Sequence, residues 1–246
     1  MKYYEMTHNL RSLDEIIADM AGGIERDEPL IPGMDGTYVK NRDAFFKTRE
    51  MGPDKFYDHD YEFDYLVPKA FGDPEPEAEL IADYHMWHGK SPRGGTTSVV
   101  SSKFKDVLEQ FNLTASKFYK AKVLYREEFH PYYVWQVLQW EYKRYVDFDL
   151  TEFNNLNSYR RLNNDKFEVR KFSSIEELDD YREEHWNYDW NYERLVMKPE
   201  FREIDFTMMP NFHFIVSQRL KEAIEEADLL GVGFAELQVA IEFSDE

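Results

Sequence analysis

Cysteine is absent from the 246 residues, which excludes disulfide staples, thiolate metal sites and cysteine nucleophiles. Long apolar runs are missing too. The most apolar stretch, Tyr132 to Trp140, carries Gln136 and Gln139 and falls far short of the ~20 residues that a membrane-spanning helix needs. The first residues, Met1-Lys2-Tyr3-Tyr4-Glu5, lead into polar sequence rather than the apolar centre of a secretory signal. These absences predict a soluble, cytoplasmic chain without membrane association. Positive charge is scarce: 30 basic residues face 49 acidic ones, a formal net charge of −19. A field of that sign repels nucleic-acid phosphates and anionic lipid and draws basic partners. The chain also lacks a Walker loop, a nucleophile elbow and a Rossmann glycine fingerprint.

Aromatic residues, by contrast, are plentiful, with 19 Phe, 17 Tyr and 5 Trp. Disordered chains are poor in them, so a packed core is expected. Ser12-Leu13-Asp14-Glu15 has the form of a capping box, and Ile16, Ile17 and Met20 give the helix it opens a short apolar face. From Tyr57 to Tyr65, aromatic residues and His59 alternate with carboxylates, which predicts a strand with one acidic side. Further strands are expected at 117–126, 132–140, 145–149, 166–172, 195–198, 203–208, 212–216 and 234–241. Helices are expected at 102–111, 174–185 and 218–227, the second opened by the overlapping capping boxes Ser173…Glu176 and Ser174…Glu177. Strands and helices do not alternate regularly. That order predicts an α+β fold of mostly antiparallel sheet with a few packed amphipathic helices. The chain is expected to be a single unit over 1–246, with a subdomain boundary at 89–97 between an amino-terminal region (1–88) and a second region (98–246).

One segment echoes another. Val99 to Glu109 aligns without gaps on Ile215 to Glu225, and the match continues through Leu113/Leu229 to Phe118/Phe234. Each copy reads as a strand end, a Ser N-cap, an amphipathic helix and a turn into a strand near an aromatic residue.

The elements Val100-Ser101-x-x-Phe104-Lys105 and Val216-Ser217-x-x-Leu220-Lys221, with Gly231-Val232-Gly233-Phe234, resemble the signature of a predicted immunity-protein family. Its members are encoded beside toxins of bacterial polymorphic toxin, contact-dependent and type VI secretion systems. Tyr145-Val146-Asp147-Phe148-Asp149 is similar to the family's central "hydrophobic-Asp" strand, and Met1-Lys2-Tyr3-Tyr4 to its opening. The resemblance covers about 99–241. It implies an α+β fold and neutralisation of a cognate toxin by direct contact, with no catalysis.

Several clusters could carry chemistry. Asp58, Asp60, Glu62 and Asp64 would line one strand face, as a solvated edge or as a patch for the Lys and Arg side chains of a toxin with a basic surface. Trp186, Asp189 and Trp190 belong to a second alternating stripe, either the buried face of a strand or an aromatic contact surface. These seven residues are the expected partner-binding set. His85 and His88, near Asp83, are the only clustered candidate metal ligands, but Gly89 and Pro92 follow them and no His-Glu-x-x-His motif is present. Arg93-Gly94-Gly95-Thr96-Thr97-Ser98 is expected to be a flexible connection rather than a phosphate cradle, and Gly231-Val232-Gly233 a helix terminator. No catalytic residue, metal or cofactor is assigned. An acidic adaptor or DNA mimic without a toxin partner is the alternative role, and a metal-dependent enzyme is a third.

Overall fold

The computed structural model describes residues 1–8, 18–19, 37–39, 55–56, 63–66, 69–70, 83–86, 96–125, 128–138, 141–154, 168–184, 191–209 and 213–245. Asp58, Asp60, Glu62, Trp186, Asp189, Trp190 and His88 lie outside these residues, as do Ser12–Glu15 and Gly94-Gly95. Among the described residues the chain forms an α+β fold of mostly antiparallel sheets with three α-helices, as the order of elements predicts.

The largest sheet is built around a hairpin of β8 (Ser116–Tyr125) and β9 (Glu128–Val137). On the far side of β9 lie β7 (Thr96–Ser101) and then β6 (Tyr84–Met86), both antiparallel to their neighbours. Beyond β8 come β4 (Phe63–Leu66), which runs parallel to it, and β3 (Thr37–Val39). Helix α1 (Ser102–Leu108) follows β7 directly.

A second, wholly antiparallel sheet has the order β13 (Phe206–Met209), β14 (His213–Ser217), β1 (Tyr3–His8), β15 (Val232–Glu236). Helix α3 (Gln218–Glu226) joins β14 to β15. A third sheet, β11 (Val169–Arg170), β10 (Glu152–Asn154), β12 (Asn191–Met197), β16 (Ile241–Phe243), carries helix α2 (Ile175–Glu184). A short pair, β2 (Ala18–Asp19) and β5 (Lys69–Ala70), completes the described strands. No described helix is long and apolar enough to cross a membrane.

The second sheet is buried on both faces. Met6, Phe206, Met208, Phe214 and Val216 turn toward one core with Leu220 and Ile224 of α3, Phe104 and Leu108 of α1, and Trp135 of β9. Tyr3, Met209 and Ile215 turn the other way, toward Leu195, Met197, Phe201 and Phe243. Two covered faces explain why β13 and β14 read as continuous apolar runs rather than alternating ones. Trp135 centres the first core, its ring 4.5 Å from Phe206, 5.8 Å from Phe214 and 5.9 Å from Phe118 between centroids. A third, smaller core of Phe153, Phe172 and Leu178 seats α2 on its sheet.

Register shows that the two larger sheets repeat one unit. The order β6-β7-β9-β8 matches β13-β14-β1-β15. Val100 pairs with Tyr133 and Ser101 with Tyr132, while Val216 pairs with Tyr4 and Ser217 with Tyr3. Phe118 faces Trp135 as Phe234 faces Met6. The amino-terminal strand therefore fills the place that β9 fills in the first unit. In the first unit that strand follows β8 through a hairpin; in the second it arrives from the other end of the chain.

Three expectations are corrected. Residues 145–149 do not form a strand: a 3-10 helix (Glu141–Tyr145) ends there and only Val146 makes a bridge, to Met197. Asp147 then turns the chain, its side chain accepting from the Leu150 amide at 3.3 Å and its carbonyl from the Thr151 amide at 2.9 Å. The strand expected at 234–241 is two strands in different sheets, β15 and β16, separated by residues 237–240. Ala18 and Asp19 are in a strand, so the helix expected from Ser12 does not extend through Met20. Strands also pair across the 89–97 segment, β6 with β7 on either side of it.

Candidate functional site

Each repeated unit holds one carboxylate at the start of its helix. Ser217, fully buried, precedes α3 in extended conformation, and its hydroxyl accepts from the Leu220 amide at 3.2 Å as an N-cap. The same hydroxyl donates to Asp205 Oδ1 at 2.6 Å. In the first unit Ser101 caps α1 through the Phe104 amide at 3.1 Å and donates to Asp83 Oδ1 at 2.5 Å. Backbone bonds repeat as well: the Ser217 amide donates to the Asp205 carbonyl and the Ser101 amide to the Asp83 carbonyl, both at 2.8 Å.

The second oxygen of each carboxylate crosses to the other unit. Asp205 Oδ2 accepts from the Asn112 amide, in the turn after α1, at 3.0 Å. Asp83 Oδ2 accepts from the Leu230 amide, in the turn after α3, at 2.9 Å. Backbone bonds again run alongside, from Asp205 to the Asn112 carbonyl at 2.7 Å and from Asp83 to the Leu230 carbonyl at 3.0 Å. The two units are thus clasped reciprocally, each donating a carboxylate to the other's post-helix turn.

The surroundings match, with one difference. Asp205 is paired with Arg219, whose Nε bonds Oδ1 and whose Nη2 bonds Oδ2 at 2.9 Å. That pairing raises the guanidinium pKa against the opposing effect of burial. The residue at the same position after Ser101 is Lys103. Its ammonium donates to the Asp228 carbonyl at 3.2 Å instead. Among the described residues no cation pairs with Asp83, which is half-buried. Burial pushes the phenol pKa of Tyr3 and of its counterpart Tyr132 upward, and the nearby charge of Asp205 and of Asp83 respectively adds to it.

A second repeated feature lies over the outer turn of each helix. Lys105 sits 5.5 Å from the Phe118 ring centroid and 5.2 Å from that of Tyr133, and is ion-paired with Glu109. Lys221 sits 5.4 Å from Phe234 and 5.3 Å from Tyr4, and is ion-paired with Glu225 at 2.6 Å.

Two helices carry rows of exposed carboxylates. Glu176, Glu177, Asp180, Glu183 and Glu184 stand in solvent on α2, and Glu222, Glu225 and Glu226 on α3. The capping pattern at α2 behaves as read, with a shift of one residue. Ser174 Oγ accepts from the Glu177 amide at 3.3 Å, while the Glu177 carboxylate reaches back to the amide and hydroxyl of Ser173, both at 2.7 Å. Those bonds hold the Glu177 carboxyl below its ordinary range.

Of the seven residues expected to contact a partner, Asp64 alone is in a described segment, in β4. The other six lie outside the described residues. The tail of the tryptophan stripe is visible at Tyr192, half-buried with its ring 5.1 Å from Phe153 and its hydroxyl donating to Tyr142 Oη at 3.3 Å. That part of the stripe is core. His85 lies in strand β6, and no group of three or more His, Asp or Glu side chains among the described residues is placed to hold a metal. Thr96 to Ser98, expected to belong to a flexible connection, are strand residues of β7. Helix α3 ends before the Gly231-Val232-Gly233 segment expected to terminate it: its last residue is Glu226, and Asp228, with φ 50°, takes the left-handed conformation after the cap, while Gly231, with φ 86°, turns the chain into β15.

Asp205 is absent from the expected sites and Asp83 enters them only beside His85 and His88, although a signal for both exists. Asp83-Tyr84-His85-Met86 and Asp205-Phe206-Thr207-Met208 share an Asp-aromatic-x-Met pattern ahead of each Val-Ser. The spacing from Asp to Ser differs between the copies, so a gap-free comparison stops short of it. No family model matches the chain, and no curated protein matches it.

Proposed function

We propose that this chain is an immunity protein: a cytoplasmic binding inhibitor that neutralises a cognate bacterial toxin by direct contact, without catalysis. The two Val-Ser-x-x-(Phe/Leu)-Lys elements on which the resemblance rests are the helix starts of the repeated unit, equivalent in register and in capping. The observation that supports the binding role is the acidic excess of the chain, net −19, with eight exposed carboxylates on α2 and α3. Such a surface accelerates encounter with a basic partner and repels nucleic acid.

The test is co-expression with the toxin domain of the protein encoded beside it. Growth should be restored and a stable complex recovered, with association slowed by salt. A toxin that kills equally in the presence of this chain, and fails to bind it in solution, would remove the reading.

A further inference from the structure

We propose that the carboxylate of Asp83 is a receptor for an arginine guanidinium supplied by a protein partner. For the owner of that arginine, the inference rests on the reading above; for the chemistry of the socket it does not.

The chain contains its own reference for the filled site. A carboxylate offers about four acceptor directions. Asp205 uses four: Ser217 Oγ and Arg219 Nε on Oδ1, the Asn112 amide and Arg219 Nη2 on Oδ2. Asp83 uses the equivalent two, from Ser101 Oγ and the Leu230 amide, and leaves one direction open on each oxygen. Among the described residues nothing occupies them.

The vacancy has a cause in the sequence. The residue two after the capping serine is arginine in one unit and lysine in the other. The Lys103 ammonium is held by the Asp228 carbonyl, in the turn that also supplies the Leu230 amide. Asp83 remains half-buried, where solvent screens its charge less than at a free surface.

The geometry selects the occupant. The two open directions lie on different oxygens of one carboxylate, and Arg219 meets the matching pair with two nitrogens of one planar fork. A guanidinium satisfies both at once, whereas an ammonium is a point donor that favours neither arrangement.

The test is a titration of the uniformly nitrogen-15-labelled full chain with N-acetyl-arginine amide, and separately with N-acetyl-lysine amide. The Leu230 and Ser101 amides should shift saturably with the arginine probe and several-fold more weakly with the lysine probe. The Asn112 and Ser217 amides, at the filled site, should stay in place. Equal response to both probes, or equal movement at the two sites, would overturn the proposal. Asp83→Asn should abolish the response. Because that change also disturbs the clasp, Lys103→Arg provides the second variant: it places a guanidinium where Arg219 stands in the other unit and should block the probe while leaving the carboxylate in place. A Lys103→Arg chain that still folds and takes up the arginine probe as before would equally overturn it. Binding of the probe by a chain that fails to rescue growth would remove the toxin reading and leave the socket; rescue without probe binding would do the reverse.

Discussion

Lys105 and Lys221 do the same work in two halves of one chain, each lying over a Phe and a Tyr of adjacent strands with a Glu one helical turn onward. Both side chains are largely covered, at 18% and 20% exposure, so the attraction between ammonium and ring faces is only partly screened. Replacing either by Met keeps the apolar stem and removes the charge. Each change should lower stability by about 0.5–1 kcal/mol, and the two should agree with each other in urea unfolding. A large cost at one and none at the other would show that the units are not equivalent in energy.

The capping serines should be more costly to remove than ordinary N-caps. Ser→Ala at a cap typically costs ~1 kcal/mol, but Ser101 and Ser217 also donate to a carboxylate. Leaving that acceptor short adds about 1–3 kcal/mol, more at Ser217, where Asp205 is almost wholly buried. Chemical denaturation of Ser101→Ala and Ser217→Ala should give that ranking.

Asp205 and Arg219 should contribute unequally. In Asp205→Asn one buried acceptor oxygen becomes an NH2 group that meets a donor on either side, the Asn112 amide or the Arg219 guanidinium, at a cost of about 1–3 kcal/mol. Arg219 is half exposed, and solvent screens its charge. Asp83 demonstrates that a serine hydroxyl and a turn amide suffice to hold such a carboxylate in place. Arg219→Ala should therefore shift the denaturation midpoint less than Asp205→Asn. The opposite order would mean that the ion pair, not the clasp, holds the joint.

Trp135 offers a test of the shared core. It touches residues of both units and is fully buried. Trp135→Ala should cost about 3–5 kcal/mol. Its Nε1 has no hydrogen-bond partner among the described residues, so Trp135→Phe loses volume but no bond and should cost clearly less. Thermal unfolding of the two variants would separate volume from hydrogen bonding.

Alkali should destabilise the fold through its buried tyrosines. Burial raises the phenol pKa of Tyr3, Tyr84 and Tyr132 above the ordinary value of 10.0. The unfolded chain releases these protons first, so stability is full below about pH 10 and falls as pH rises beyond it. The slope is ~1.4 kcal/mol per pH unit for each phenol that stays protonated in the fold. Tyr84→Phe should flatten it by one such increment in urea unfolding followed at rising pH. An unchanged slope would show that Tyr84 ionises in the folded state.

Much of the local structure was legible in the residues. The helix starts at Ser101, Ser174 and Ser217 follow from hydroxyls that satisfy free amides one turn on. The echo from Val99 to Phe118 and from Ile215 to Phe234 survives into the register of the strands. Residues 145–149 misled because Tyr145, Val146 and Phe148 suit a strand by propensity, while Asp147 bonds its own following backbone and turns the chain. The expected acidic and tryptophan contact sets lie almost wholly outside the described residues, so the candidate site rests on other side chains.

By itself the sequence determined what short-range chemistry can determine: where helices begin, and that the chain carries a negative field over an aromatic core. Only the tertiary structure decided that Tyr3-Tyr4 stands where Tyr132-Tyr133 stands in the other unit, and that Asp83 and Asp205 each reach across to the opposite turn. The reason is that a strand's own residues specify a face and a period, not a neighbour. Which edge it joins depends on the backbone donors and apolar surface left open by segments far away in the chain.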